Sequence, residues 1–362
     1  MRECIGIVTG GGDCPGLNAV IRAVVKSASK RGWDTLGFLG GYEGMLEPMR
    51  YRQLDYKEMD PLLLIGGTIL GTSNKGRFAA KTGHGEKQVI PPEILAEAKA
   101  NFKRLGLRAL VSVGGDGSLT ISQHLYESGI PMVGVPKTID NDLEATASTF
   151  GFDSAVACAT DALDRLRTTA QSHERVMVLE VMGRYAGWIA VEAGIAGGGD
   201  VILIPEIPFH YDSICARIAE RERENKRFTL VVVAEGAREK GRDFVTSGPE
   251  EKNREARLGG IGAQVAAEIQ KRTGKETRVC VLGHLQRGGA PTATDRLLCT
   301  RFGAKAVQLI AEEKYGQMVA YHPPDIVGVK LTEAIGRLRT VPLHGDVMHT
   351  ARALGISFGD GE

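Results

Sequence analysis

Several things are scarce in this chain of 362 residues, and each scarcity narrows its class. The six cysteines, Cys4, Cys14, Cys158, Cys215, Cys280 and Cys299, lie far apart, with no CxxC pair and no compact framework. Free thiols in a reducing cytoplasm fit that spacing better than a disulfide scaffold. No apolar stretch approaches the roughly 20 residues of a membrane helix. The amino-terminal MRECIGIVTGGGD runs straight into a strand-like segment and lacks the apolar core of a signal peptide. The expectation is a soluble, cytoplasmic protein with no membrane partner. Net charge is scarce too: 45 Lys and Arg against 44 Asp and Glu leave +1. Bulk charge therefore gives no footprint for nucleic acid, although local arginine clusters can still serve small anions. No low-complexity segment and no repeat of solenoid length is visible.

What is present is ordinary globular material, 43% hydrophobic and 25% charged, in a chain longer than one core usually supports. Short apolar runs at 4–9, 35–39, 109–113, 132–135, 176–181, 201–204, 228–234 and 278–282 read as strands. Between them, 17–30, 92–105, 154–170, 211–224, 262–272 and 292–313 read as helices. That alternation predicts an α/β fold of two Rossmann-like lobes, with mostly parallel sheets covered by helices. Segments 74–89 and 237–257 read as surface loops. The 47 glycines gather where strands end, the edge at which doubly wound sheets bind ligands.

Three turns carry the chemistry. Thr9-Gly10-Gly11-Gly12-Asp13-Cys14-Pro15-Gly16 follows a strand and opens a helix; free amides at a helix start hold phosphate oxygens, and glycine lets a ligand approach the main chain. It is neither a dinucleotide fingerprint nor a P-loop, and a plain tight turn is the alternative. Val113-Gly114-Gly115-Asp116-Gly117-Ser118 places a carboxylate between glycines, which suits a phosphate-bound Mg²⁺ or, alternatively, a helix cap. Pro136-Lys137-Thr138-Ile139-Asp140-Asn141-Asp142 gathers a cation, a hydroxyl and two carboxylates, all usable in phosphoryl transfer.

Cations cluster farther on. Arg175 precedes one strand, and Met182-Gly183-Arg184-Tyr185-Ala186-Gly187 leaves it. Glu235 closes the apolar run 228–234; Arg278 lies in another, which ends in Gly283-His284-Leu285-Gln286-Arg287. Guanidinium donates in a bidentate geometry, so this set suits a phosphorylated sugar; taken singly, each arginine could be a salt-bridge partner.

In this order, GGGDCPGLNAVIR, GGDGS, PKTIDND, EVMGRYAG and GHLQRGG resemble the phosphofructokinase family over roughly residues 4–305. The resemblance implies a 6-phosphofructokinase phosphorylating the 1-hydroxyl of fructose 6-phosphate, with the active site in a cleft between the lobes. It implies a donor lobe of 1–150 plus about 286–345 and a fructose 6-phosphate lobe of 151–285 plus about 346–362. Asp140 becomes the base, with Thr138 and Asp142 beside it, Arg184 near the transferring group and Asp116 holding Mg²⁺. The donor phosphates fall to Gly11, Gly12, Gly115, Gly117, Ser118 and, in place of the usual arginine, Lys75. Glu235, with Met182 and Gly183 in the adjoining turn, takes the sugar; Arg175, Arg278, His284 and Arg287 take its 6-phosphate. Arg175 and Arg278 match residues the family draws from a neighbouring subunit, so a homo-oligomer, dimer or tetramer, is implied.

Donor choice turns on two residues. Gly117 leaves open the volume that an Asp would fill at the α-phosphate, favouring ATP; Lys137 matches pyrophosphate users. The pair resembles a mixed subgroup of ATP-dependent members with otherwise pyrophosphate-like sequences. The alternatives are a pyrophosphate-dependent enzyme, a non-catalytic sugar-phosphate-sensing subunit, and a lipid or NAD kinase sharing the GGDG turn.

Overall fold

The computed structural model describes residues 2–73, 76–78, 90–246 and 258–361. Lys75, most of the 74–89 segment and the second half of the 237–257 segment lie outside the described residues. The chain divides into two compact units. The first comprises Met1–Ile139, Leu143–Ser154 and Arg287–Leu338; the second comprises Asp140–Asp142, Ala155–Gln286 and Arg339–Glu362.

Strand β1 (Cys4–Thr9) leads into α1 (Leu17–Lys30), β2 (Asp34–Phe38) and the short β3 (Tyr51–Gln53). Then come α2 (Pro92–Arg104), β4 (Leu107–Gly114), α3 (Asp116–Glu127) and β5 (Met132–Pro136). The chain passes to the second unit within α4 (Phe152–His173). There it alternates β6 (Val176–Val181), α5 (Trp188–Ala196), β7 (Val201–Leu203), α6 (Tyr211–Arg223), β8 (Thr229–Ala234), α7 (Ile261–Thr273) and β9 (Thr277–Val281). It returns with α8 (Ala293–Ala311), β10 (Gln317–His322), β11 (Asp325–Lys330) and the single turn α9 (Leu331–Ala334). Helix α10 (Asp346–Ala353) belongs to the second unit.

Each run read as a strand or helix coincides with one of these elements, shifted by a few residues at most at either end. The apolar runs are strands because both faces are covered: Ile5, Ile7 and Val8 of β1 and Leu110 and Val111 of β4 are fully buried. Unforeseen were β3, whose three residues are all exposed, and the β10–β11 hairpin, which turns at Pro323 and Pro324 without a glycine signal. Helix α5 was also missed, because its WIAVEAGIA, apolar apart from Glu192 and small residues, carries no clear 3.6-residue period.

In the first unit seven strands follow the order β11-β10-β5-β4-β1-β2-β3. All neighbours are parallel except the two edge strands, β3 and β11. From β1 the chain moves to β2 and β3 on one side, then returns to β4 on the other. The carboxyl ends of β1 and β4 thus flank a topological switch point, the crevice where such sheets bind ligands. The second unit has a four-stranded, wholly parallel sheet in the order β7-β8-β6-β9. All six cysteines are free thiols. Among the described residues no helix is long and apolar enough to cross a membrane.

Candidate active site

The three chemical turns lie side by side at the carboxyl edge of the first sheet. Register places Thr9 of β1 beside Val113 of β4, and Gly114 beside Pro136 of β5. The Gly10 amide donates to the Val113 carbonyl at 2.9 Å, and the Lys137 amide to that of Gly114 at 3.0 Å. Ser118 packs against Gly10 and Gly114 closely enough that a Cβ on either would overlap it. Neither α1 nor α3 has a side-chain cap at its start, where Gly16 and Gly115 stand. Their first-turn amides are left for another acceptor, the arrangement that holds phosphate.

Two cations flank the first turn. The Lys137 ammonium, on a side chain only 5% exposed, donates to the Gly12 carbonyl. The Arg287 guanidinium lies over Gly12, where a Cβ would stand 1.8 Å from Nη1. The Arg287 Nε is buried with no hydrogen-bond partner, a donor that an anion can satisfy. The sequence pairs Arg287 with His284 as a sugar-phosphate ligand; in the structure Arg287 groups with the first unit, beside the first glycine turn, and His284 with the second.

Asp116 is the first residue of α3 and half-buried, its Oδ1 accepting from the Gly336 amide at 2.9 Å. No group of three or more His, Cys, Asp or Glu gathers as a metal cage among the described residues. A divalent cation that rides on phosphate oxygens needs only one or two carboxylates, so Asp116 at the edge of the phosphate turns fits Mg²⁺.

In the second unit the carboxyl ends of β6 and β8 meet. The Glu235 amide donates to Val181 at 2.8 Å, and the Arg184 amide donates to Glu235 Oε1 at 3.1 Å. Arg184 sits in the left-handed region at φ 51°, a strained conformation for a side chain of this size. Gly236 permits the contact, since a Cβ there would lie 1.9 Å from the Arg184 carbonyl oxygen. Burial first, then the charge of Asp140, push the Glu235 carboxyl up to about 7. Asp140 is itself 6% exposed. The turn holding Met182 and Gly183 is fixed by Gln286, whose Oε1 accepts from the Met182 amide at 2.8 Å. His284 stands exposed in the 3-10 turn Gly283–Arg287.

The remaining cations lie elsewhere. Arg175 precedes β6 and Arg278 is second in the parallel β9, so both occupy the amino edge of this sheet. They share one carboxylate: Arg175 Nε donates to Glu276 Oε2 at 2.6 Å, and Arg278 Nη2 to Glu276 Oε1. Six residues of β6 span about 20 Å at the usual rise. A single chain therefore does not bring Arg175 and Arg278 to Arg184, Glu235 and His284.

Residues 4–310 match the family model described as Phosphofructokinase. The chain belongs to the phosphofructokinase family. An ATP-dependent 6-phosphofructokinase from Chloroflexus aurantiacus is 52% identical over 359 residues, 99% of this chain and 98% of the relative. A pyrophosphate–fructose 6-phosphate 1-phosphotransferase from Amycolatopsis methanolica is 49% identical over 340 residues, 93% of this chain and 96% of the relative. Among solved structures, Pichia pastoris phosphofructokinase in the T-state superposes with TM-score 0.80 at 32% identity over 92% of this chain. The chain spans 35% of that larger protein. Phosphofructokinases use a divalent metal, in keeping with the donor set at Asp116.

Several positioning residues of this phosphofructokinase went unread in the sequence. Thr72 Oγ1 donates to the Gly11 carbonyl at 2.5 Å. Asn18 Oδ1 accepts from the Ile69 amide at 2.8 Å, anchoring the same loop to α1. Tyr42, buried beneath the second turn, donates to the Ser118 carbonyl at 2.9 Å. Arg339 holds the Asp140–Asp142 segment: its amide donates to the Asp142 carbonyl at 3.0 Å and its Nη1 to that of Asn141 at 3.2 Å. Trp188 supports Arg339 in turn, its Nε1 donating to the Arg339 carbonyl at 3.0 Å with the guanidinium 4.4 Å from the ring. None of these partners is near in sequence. Gln286, inside a quoted motif, was the one legible signal.

Proposed function

We propose that this chain is an ATP-dependent 6-phosphofructokinase, transferring the γ-phosphoryl group of ATP to the 1-hydroxyl of fructose 6-phosphate in glycolysis. The products are fructose 1,6-bisphosphate and ADP. The observation that carries this reading is the adjacency of the Gly11, Gly115 and Lys137 turns at the switch point of the first sheet. Phosphoryl transfer asks little covalent chemistry of the protein; it asks for alignment, charge neutralisation and a base.

Amides of Gly11, Gly12, Gly115, Gly117 and Ser118 hold the donor phosphates, with Lys137 compensating charge. Asp116 holds Mg²⁺, which when bound neutralises phosphate charge. Asp140 accepts the proton of the sugar 1-hydroxyl, while Thr138 and Asp142 orient it. Arg184 meets the transferring group. Glu235, partly protonated near neutrality, exchanges hydrogen bonds with sugar hydroxyls beside Met182 and Gly183. His284 and Arg287 bind the 6-phosphate together with Arg175 and Arg278 of a second copy, which makes the working enzyme a homo-oligomer. The amino-edge position of those two arginines supports that sharing.

Gly117 supports ATP, since nothing beyond the backbone projects from the first turn of α3 there. Lys137, with its ammonium at the donor turn, favours the second reading, pyrophosphate. The deciding measurement is the initial rate with fructose 6-phosphate and Mg²⁺ under each donor. ATP is expected to turn over far faster; an equal or reversed preference overturns the ATP assignment.

A further inference from the structure

Glu206 lies in the second unit, just past the end of β7, and outside all five of the family motifs. Its half-buried carboxylate accepts from main-chain amides of two separate segments. The Gly187 amide donates to Oε1 at 3.0 Å and to Oε2 at 3.1 Å, and the Val341 amide donates to Oε1 at 2.9 Å. Burial raises this carboxyl above its ordinary value; the two amides, with the amide of Glu206 itself, oppose the rise.

Both segments lead to reacting groups. Gly187 closes the turn that carries Arg184 and opens α5. The main chain comes this close only as glycine, since a Cβ at Gly187 would stand 2.5 Å from the Ile204 Cβ and 2.9 Å from Glu206 Oε2. Val341 follows Arg339, which grips the Asn141 and Asp142 carbonyls. Trp188, next to Gly187, donates to the Arg339 carbonyl at 3.0 Å. Residues 187–188 and 339–341 are thus joined twice, by the Trp188 indole and by the Glu206 carboxylate.

Each of the two reacting segments also contains a strained residue. Arg184 has φ 51°, and Asn141, directly after Asp140, has φ 53°. Such conformations persist only where the surroundings over-determine them. Capping of α5 would account for the contact to Gly187 alone. Val341, 135 residues beyond Glu206, belongs to no helix.

We propose, on the roles assigned above to Asp140 and Arg184, that Glu206 is a positioning residue for phosphoryl transfer. Its oxygens tie the Arg184 turn to the 339–341 segment and so hold the arginine and the Asp140 base in one frame. Its partners are neutral amides, so the reach of the oxygens carries this role and the charge does not.

Steady-state kinetics of the full-length enzyme, with fructose 6-phosphate, ATP and Mg²⁺, separate reach from charge. Glu206→Asp keeps the charge and withdraws the oxygens by one methylene. Its kcat should fall about tenfold or more, and its KM for the sugar phosphate should change by less than about threefold, as when reacting groups are misplaced by a fraction of an ångström. Glu206→Gln gives up the charge but keeps a carbonyl oxygen within reach of both amides, and should recover most of the kcat that E206D loses. In a D140N background the E206D loss should shrink, because part of it acts through a base that is already gone. Parental kcat in E206D overturns the inference, and leaves the D140N deficit standing for Asp140 as base. An equal E206D loss in both backgrounds also overturns it, as does an E206Q enzyme poorer than E206D. Parental turnover in D140N alone removes the Asp140 assignment and this inference with it.

Discussion

The carboxyl groups of Asp140 and Glu235 are electrostatically coupled: the charge on Asp140 adds to burial in raising Glu235 to about 7 from an ordinary 4.5. Between those values the native protein keeps a proton at Glu235 that the unfolded chain has released. Stability from this group is therefore fully present below about 4.5 and is lost as pH climbs through 7. Glu235→Gln removes the titration. Urea midpoints of the parent should fall relative to those of E235Q as pH rises across that window, whereas parallel curves would show that Glu235 titrates normally.

Replacing Asp140 tests the same pair from its other member. Asp140→Asn should lower kcat by about 10²–10⁴ with little change in KM for the sugar phosphate, as expected when a base is lost. It should also move the Glu235 stability transition toward lower pH. A D140N enzyme with parental turnover removes Asp140 from the chemistry.

Two glycines should respond differently to alanine. At Gly236 the added Cβ would meet the Arg184 carbonyl oxygen at 1.9 Å, a backbone atom that cannot swing aside. Gly236→Ala should therefore displace the Arg184 turn and cost both stability, on the order of 1–3 kcal/mol, and kcat. At Gly12 the obstacle is the mobile end of Arg287. Gly12→Ala should leave the melting temperature near the parental value and raise KM, chiefly for the phosphate donor. Equal melting temperatures for the two variants would count against this account.

Gly117→Asp separates donor choice from folding. A carboxylate in the first turn of α3 is favourable to the helix by roughly 0.3–1 kcal/mol, so the fold should hold. The kcat/KM for ATP should fall, because the new charge meets the α-phosphate, while use of pyrophosphate is spared or gained. An unchanged ratio of donor efficiencies would place the discrimination outside residue 117.

The sheets were legible because parallel strands buried on both faces must be apolar throughout, as CIGIVT and TLVVVA are. The glycine turns were legible because close approach of a ligand to the main chain excludes side chains. Edge strands β3 and β11, half or wholly exposed, carry no such constraint. The order of five motifs pointed to the family, and residues such as Asp116, Asp140 and Glu235 could be named from it.

Local sequence thus determined which segments become strands, where the chain turns with its amides free, and which groups capable of phosphoryl chemistry stand in those turns. These follow from periodicity and steric limits within a few residues. Only the tertiary structure decided which groups share a neighbourhood. It set Lys137 and Arg287 on Gly12 and joined Arg175 and Arg278 through Glu276 at the far edge of their sheet. Burial, hydrogen-bond partners and the coupling of Asp140 to Glu235 depend on distances between residues far apart in the chain, which no local pattern encodes.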